Sequence, residues 1–162
     1  PVINVTGDSE WLTPGTGYYC NYGNQEENGA AYGRLYNVFA LRDERDIAPE
    51  GWHVPGDPDW QALVDFLGGD SVAGGKLKQA DTTSWSSPNT GATNESGFNA
   101  LPAGYRGCSS GFRGMSYETY YWSSTFVGLE IAGFRILRWD STTVGSQSYG
   151  TLDGYSIRCV RD

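Results

Sequence analysis

Gly51-Trp-His-Val-Pro-Gly-Asp-Pro-Asp-Trp-Gln-Ala-Leu-Val-Asp-Phe-Leu-Gly68 reads as a short strand, a sharp turn and a helix. Asp57 is placed to cap that helix, its carboxylate accepting from amides left free in the first turn. Pro58 follows at the first helical position, where a missing N–H costs nothing. Trp60, Leu63, Val64 and Leu67 fall at offsets 0, 3, 4 and 7 and so share one face. Gly68 and Gly69 close the helix, since glycine accepts the left-handed conformation. The rest of the chain must pack against that apolar face.

Around this helix the composition is that of one loop-rich domain. The 162 residues suffice to bury a core without staples. Glycine is abundant at 23 residues and aromatics reach 14%, against only 19% charged, so irregular backbone pinned by large rings is expected rather than a helical bundle. A net charge of −8 with scattered cations argues against nucleic acid and against adsorption to an anionic membrane. No apolar run is long enough to span a bilayer and no signal peptide is visible. The chain opens on Pro1, as a mature form or an excised piece would.

Further motifs extend along the chain. They are Tyr32-Gly-Arg-Leu-Tyr-Asn37, Gly74-Gly-Lys-Leu-Lys78, Ser86-Ser-Pro-Asn-Thr-Gly-Ala-Thr-Asn94 and Ser96-Gly-Phe98, then Leu101-Pro-Ala-Gly-Tyr-Arg106, Tyr121-Trp-Ser-Ser-Thr125 and Gly154-Tyr-Ser-Ile-Arg-Cys-Val-Arg-Asp162. With Gly51-Trp-His-Val-Pro and Asp59-Trp60, they resemble the Fibrobacter succinogenes major paralogous domain family, in order, over roughly residues 18 to 162. The resemblance implies an α+β, C-type lectin-like fold: a single domain over 1–162 with two helices, short antiparallel sheets and long irregular loops. That fold is related to the formylglycine-generating enzymes. Those enzymes use two nearby cysteines late in the chain, where this one has only Cys159, so their activity is not implied.

Three cysteines, Cys20, Cys108 and Cys159, allow at most one disulfide. Lectin-like folds bring their ends together, which implies Cys20 with Cys159; three reduced thiols are the other reading. Relatives often carry a cysteine just before Pro-x-Gly-Trp-His, where this chain has Ala48, so their disulfide scheme does not transfer.

Val2–Thr6 reads as an edge strand followed by a loop. Asn21–Gly29 is a polar stretch in which calcium is conceivable, but its spacing fits no EF-hand and a solvated loop is preferred. Leu35, Val38 and Phe39 have helical spacing, predicting a short first helix over Arg34–Leu41. Arg42–Asp46 reads as an exposed charged connector. Ser71–Gly97 reads as the long loop region, with Leu77 and Trp85 as anchors. Phe98–Tyr105 and Tyr120–Thr125 read as short strands. Ala132–Asp140, a turn at Ser141–Thr143, Val144–Tyr149 and Tyr155–Val160 read as the final antiparallel strands.

Few residues suggest chemistry. His53 is the only histidine, which excludes paired-histidine zinc motifs, and between Trp52 and Val54 it reads as a core histidine. No Walker loop, dinucleotide fingerprint or nucleophile elbow is present. Ser87-Pro-Asn89 and Arg138-Trp-Asp140 are degraded forms of the calcium and sugar ligands of C-type lectins, at the wrong spacing. The carboxylate pairs Glu26–Glu27 and Asp43–Glu44 read as solvated acids. No cofactor is expected.

The remaining feature is a strand face. The family keeps apolar residues at Leu137 and Trp139. If those two point inward, alternation turns Phe134, Ile136, Arg138 and Asp140 to the other face, joined by Gly145, Gln147 and Tyr149 of the returning strand. Large apolar groups exposed beside polar ones mark interaction sites, and Tyr117, Tyr120 and Tyr121 could extend the patch. The alternative is that another segment covers this face. The expectation is a non-enzymatic binding domain, secreted or at a bacterial surface, taking a protein or glycan at Phe134, Ile136, Arg138, Gly145, Gln147 and Tyr149. A sharper version is the variable protein of a diversity-generating retroelement: Phe126–Asp153 departs from the family at outward positions, as at Thr151-Leu152, while Tyr121–Thr125 and Gly154–Asp162 match it. The rivals are a polysaccharide-acting enzyme using loop acids and a structural module of a larger surface protein.

Overall fold

The computed structural model describes residues 2–43, 47–108, 111–150 and 152–162, with the side chains of 149 and 150 outside the description. In chain order its elements are β1 (Ile3–Asn4), α1 (Asp8–Trp11), β2 (Tyr18–Asn21), a 3-10 turn (Tyr22–Asn24), α2 (Glu26–Tyr32), β3 (Arg34–Tyr36) and a second 3-10 turn (Val38–Arg42). There follow β4 (Trp52–His53), α3 (Asp57–Phe66), α4 (Asp70–Leu77), β5 (Ala103–Gly107), β6 (Gly111–Met115), β7 (Glu118–Phe126), β8 (Ile131–Arg138), β9 (Gly145–Gly150) and β10 (Val160–Arg161). The result is a mixed α/β architecture of small open sheets: β1-β2-β3, β10-β4 and the five-stranded β6-β5-β7-β8-β9.

Helix α3 forms where its periodicity predicts, with Trp60, Val64 and Leu67 buried and Gly68 and Gly69 at φ +100° and +97°. Its cap differs from expectation. Gly56 is the N-cap residue, and the Asp59 carboxylate reaches back to accept from the Gly56 amide at 2.8 Å. Asp57 instead pairs with the buried Arg135 guanidinium at 3.1 Å and donates its own amide to Thr125 Oγ1 at 2.8 Å. The helix start is thereby tied to the central sheet.

Several loops and one helix read otherwise than predicted. Asn21–Gly29 is not a loop: a 3-10 turn leads into α2, opened by Glu26 and Glu27, which suit the positive end of a helix. The helix expected over Arg34–Leu41 is instead β3 followed by a 3-10 turn. Leu35 pairs with Cys20 across the sheet, and the Asn37 side chain accepts from the Ala40 amide, starting a tighter turn. Ser71–Gly97 contains α4, which packs closely because it carries Gly74 and Gly75; a Cβ at Gly74 would lie 2.7 Å from the Thr142 and Thr143 carbonyl oxygens. The sheets are not purely antiparallel, since β1 pairs with β2, and β5 with β7, in parallel. Cys20 is a buried free thiol, so the Cys20–Cys159 bridge does not form; burial pushes its pKa up to about 11. Glu44 to Asp46 lie outside the described residues, so the charged connector is described only at Arg42 and Asp43.

The large sheet is packed on both faces. Trp60, Val64, Leu77, Trp85, Tyr121 and Leu137 fill one side, and Val38, Tyr120, Trp122, Phe134, Ile136 and Tyr155 the other. The expected closing strand is regular only at β10. Before it, Tyr155 pairs with Tyr36 and Ser156 with Tyr121, so this segment stitches the first sheet to the large one. A third cluster, Val5, Trp11, Cys20 and Leu35, is held by buried Arg106, which donates to Val5 O at 3.1 Å and Asp8 Oδ1 at 2.8 Å beneath the Trp11 ring.

Candidate functional site

β8 and β9 pair with Phe134 opposite Gln147 and Ile136 opposite Gly145, so Phe134, Ile136, Gly145 and Gln147 share the face that alternation assigns them. That face is not open along its length. Phe134 is 0% exposed and Ile136 7%, and both lie in the aromatic cluster, the Phe134 ring 4.9 Å from that of Tyr155. Phe134 is therefore a core residue rather than an exposed contact, and Ile136 keeps only a small edge at the surface. Alternation separates two faces but cannot tell which of them a neighbouring segment covers, and here helices cover one and the Tyr36–Tyr155 seam the other. Tyr120 and Tyr121 are buried for the same reason, whereas Tyr117 is half exposed, edge-on to Trp139 at 5.3 Å. The Tyr149 side chain and the residue Thr151 lie outside the described residues.

The cover ends beyond Ile136. There Ile136, Arg138, Ser141, Thr143, Gly145 and Gln147 line a concavity of about 260 Å3. Gly145 leaves the Ile136 side chain as its apolar floor, since a Cβ there would sit 3.3 Å from Ile136 Cβ. Arg138 and Gln147 are exposed, and Arg138 Nε lies 3.7 Å from Glu118 Oε2. The turn is braced by Ser141 Oγ, which accepts from the Thr143 amide at 3.0 Å. Burial, together with the hydrogen-bonded Glu118 carboxylate, pushes the Tyr120 phenol well above its ordinary range, so it stays neutral beside the Glu118–Arg138 pair. A guanidinium, an amide and hydroxyls around one apolar floor suit the polar edges and apolar faces of a sugar or peptide. Ser141 and Thr143 escape sequence reading because a turn residue carries no sign of facing a groove.

Two of these lining residues, Arg138 and Ser141, are held through their carbonyls by a buried lysine. Lys78 Nζ donates to the carbonyl oxygens of Arg138 at 2.8 Å, Ser141 at 2.9 Å and Thr90 at 3.1 Å. Burial pulls its pKa down to about 8, against the opposing pull of the Asp140 charge.

His53 is exposed rather than in the core. Its Nδ1 lies 2.7 Å from Asp162 Oδ1 and its Nε2 3.4 Å from Asp59 Oδ2. The short β4 strand holds it at the sheet edge opposite Val160, outside the packed layers. Among the described residues, no group of three or more His, Cys, Asp or Glu is set to hold a metal ion.

Residues 4–161 match the family model described as the Fibrobacter succinogenes major domain, which extends the similarity back to β1. No curated protein and no solved structure matches the chain.

Proposed function

We propose that this chain, which belongs to the Fibrobacter succinogenes major domain family, is a non-enzymatic domain displayed outside a bacterial cell that binds a glycan or protein. The concavity at the end of β8 and β9 takes the ligand, with Arg138 and Gln147 as its polar contacts. The observation that carries this reading is the combination of mixed donors and acceptors over an apolar floor, held on two paired strands and braced by Lys78. Sites on rigid elements keep their geometry and lose little entropy on binding. The frame is the C-type lectin-like one, a reading supported by the family membership and by contacts that join distant parts of the chain, such as Trp11 Nε1 donating to Leu152 O at 2.6 Å. In its sharper form the domain is the variable protein of a diversity-generating retroelement, with exposed Arg138, Gln147 and their neighbours as the diversified positions. No helix of the described residues is long and apolar enough to cross a membrane.

A glycan array and a pull-down with wild type beside Arg138→Ala/Gln147→Ala, with and without calcium, test the assignment. Loss of a ligand at an unchanged melting temperature supports it. A ligand retained by the variant overturns it. For the sharper form, an adenine-biased template repeat near the gene is expected, and absence of a reverse-transcriptase gene refutes it.

A further inference from the structure

A second concavity, of about 470 Å3, opens at the seam where the Tyr155–Ser156 segment joins the two sheets; Arg34, Tyr36, Asn99, Tyr121, Ser156 and Arg158 are among its lining residues. That volume is ordinary for a small-ligand site, roughly 300–1,000 Å3. Arg34 sits 4.2 Å from the centre of the Tyr19 ring and Arg158 4.9 Å from that of Phe98. Among the described residues neither guanidinium makes an ion pair. In a chain with 19 acidic and 11 basic residues, leaving two arginines on one hollow without a carboxylate is notable; each guanidinium lies over an aromatic ring, and that of Arg34 also hydrogen-bonds the Tyr36 side chain.

A second observation points the same way. Ser156 is 6% exposed, and its Oγ is buried with no hydrogen-bond partner. Its backbone is engaged, the amide donating to Tyr120 O at 2.9 Å and the carbonyl accepting from the Trp122 amide at 3.0 Å, which fixes the position of its Cα and Cβ. A buried hydroxyl left unsatisfied is expensive, and Ser156 is among the residues lining the hollow.

We propose that this concavity binds an acidic saccharide, its carboxylate taken between Arg34 and Arg158 and one of its oxygens accepting from Ser156 Oγ. The Tyr36 phenol and the Asn99 amide stand at the same hollow for the sugar hydroxyls. A guanidinium fork matches a carboxylate in two-point geometry, and the aromatic and aliphatic lining suits the apolar faces of a sugar ring better than a bare inorganic anion.

The test is calorimetric titration with glucuronate, glucose, inorganic phosphate and a short glutamate-rich peptide. Glucuronate is expected to bind at least about tenfold more tightly than glucose, as one charge-assisted contact predicts. Arg34→Ala and Arg158→Ala should each weaken it about tenfold or more, and Ser156→Ala by a few-fold, while Arg161→Ala, which removes the same charge from the exposed β10 edge, leaves it unchanged. Both arginines are exposed. Should an alanine variant fail to fold, Arg34→Gln keeps the stem over Tyr19 and gives the same readout. Glucuronate binding no better than glucose, or indifferent to Arg34 and Arg158, overturns the proposal. Tighter binding of phosphate or of the peptide overturns the saccharide assignment.

Discussion

Lys78 Nζ meets the Arg138 carbonyl at 2.8 Å, so the end of α4 is fastened to the end of β8 by a buried ammonium. The same group holds the Ser141 and Thr90 carbonyls. Lys78→Met keeps the aliphatic stem but removes the ammonium donor from three carbonyls, of which that of Arg138 retains a long bond from the Ser141 amide at 3.4 Å. At about 1 kcal/mol or more for each, the loss should be about 3 kcal/mol. Thermal melts should show a fall of about 6–12 °C. An unchanged melting temperature would mean the ammonium carries no structural load.

Gly74 faces the same turn. A methyl there would meet backbone rather than a movable side chain, with the Thr143 carbonyl carbon at 2.8 Å. Gly74→Ala should therefore destabilise by about 2 kcal/mol through overpacking, although alanine favours helix in isolation. Denaturant melts separate the two effects, since propensity alone predicts a gain.

Phe134 distinguishes core from surface directly. Phe134→Ala empties a fully buried site and should lower stability by about 3–5 kcal/mol. Gln147→Ala on the paired strand is exposed and should change stability by less than about 0.5 kcal/mol. Comparable effects of the two would contradict the packing described for β8.

His53 gives a pH dependence of known sign. The hydrogen bond to Asp162, and secondarily Asp59, raises its pKa above the ordinary 6.5. A raised folded pKa means that the protonated pair adds stability below about pH 6.5, and that this is lost as pH rises through the folded value. The melting temperature should thus fall over that window in wild type and fall less in Asp162→Asn. An NMR titration placing the His53 pKa at or below 6.5 would reject the pairing.

Cys20 should be chemically silent. Its thiol is buried and its pKa is raised to about 11, so almost no thiolate forms near neutral pH. In a Cys108→Ser/Cys159→Ser variant, a thiol reagent should label the chain only after denaturant is added. Prompt labelling of the folded variant would show that the first sheet opens readily.

Helix α3 is legible in the sequence because three independent signals coincide there: a 3.6-residue apolar period, Pro58 near the start and glycines past the end. Where signals conflict, the sequence misleads. Leu35, Val38 and Phe39 have helical spacing, yet Leu35 is wanted by the Cys20 strand and Asn37 turns the chain, so tertiary pairing prevails. Gly74 and Gly75 look like loop residues by propensity, and only the proximity of the Thr142–Thr143 backbone to Gly74 and of the Gly91 backbone to Gly75 shows why a helix needs them. Alternation correctly groups Phe134, Ile136, Gly145 and Gln147, but what covers each part of that face depends on Tyr155 and Val38, far away in the chain. The Arg34–Arg158 hollow is invisible for the same reason, since its two halves meet only once the seam has formed.

That seam also bears on how the chain reaches its fold. Trp11 bonds to Leu152 across 141 positions, Tyr36 waits for Tyr155, and β4 pairs with β10. Most of the closing steps therefore join segments far apart in the sequence, N-terminal ones to C-terminal ones. Loop-closure entropy must be overcome before these contacts contribute, so folding should be slow and concerted. A chain stopped short of the seam would expose the Trp122 and Phe134 rings instead of acquiring a stable half-domain.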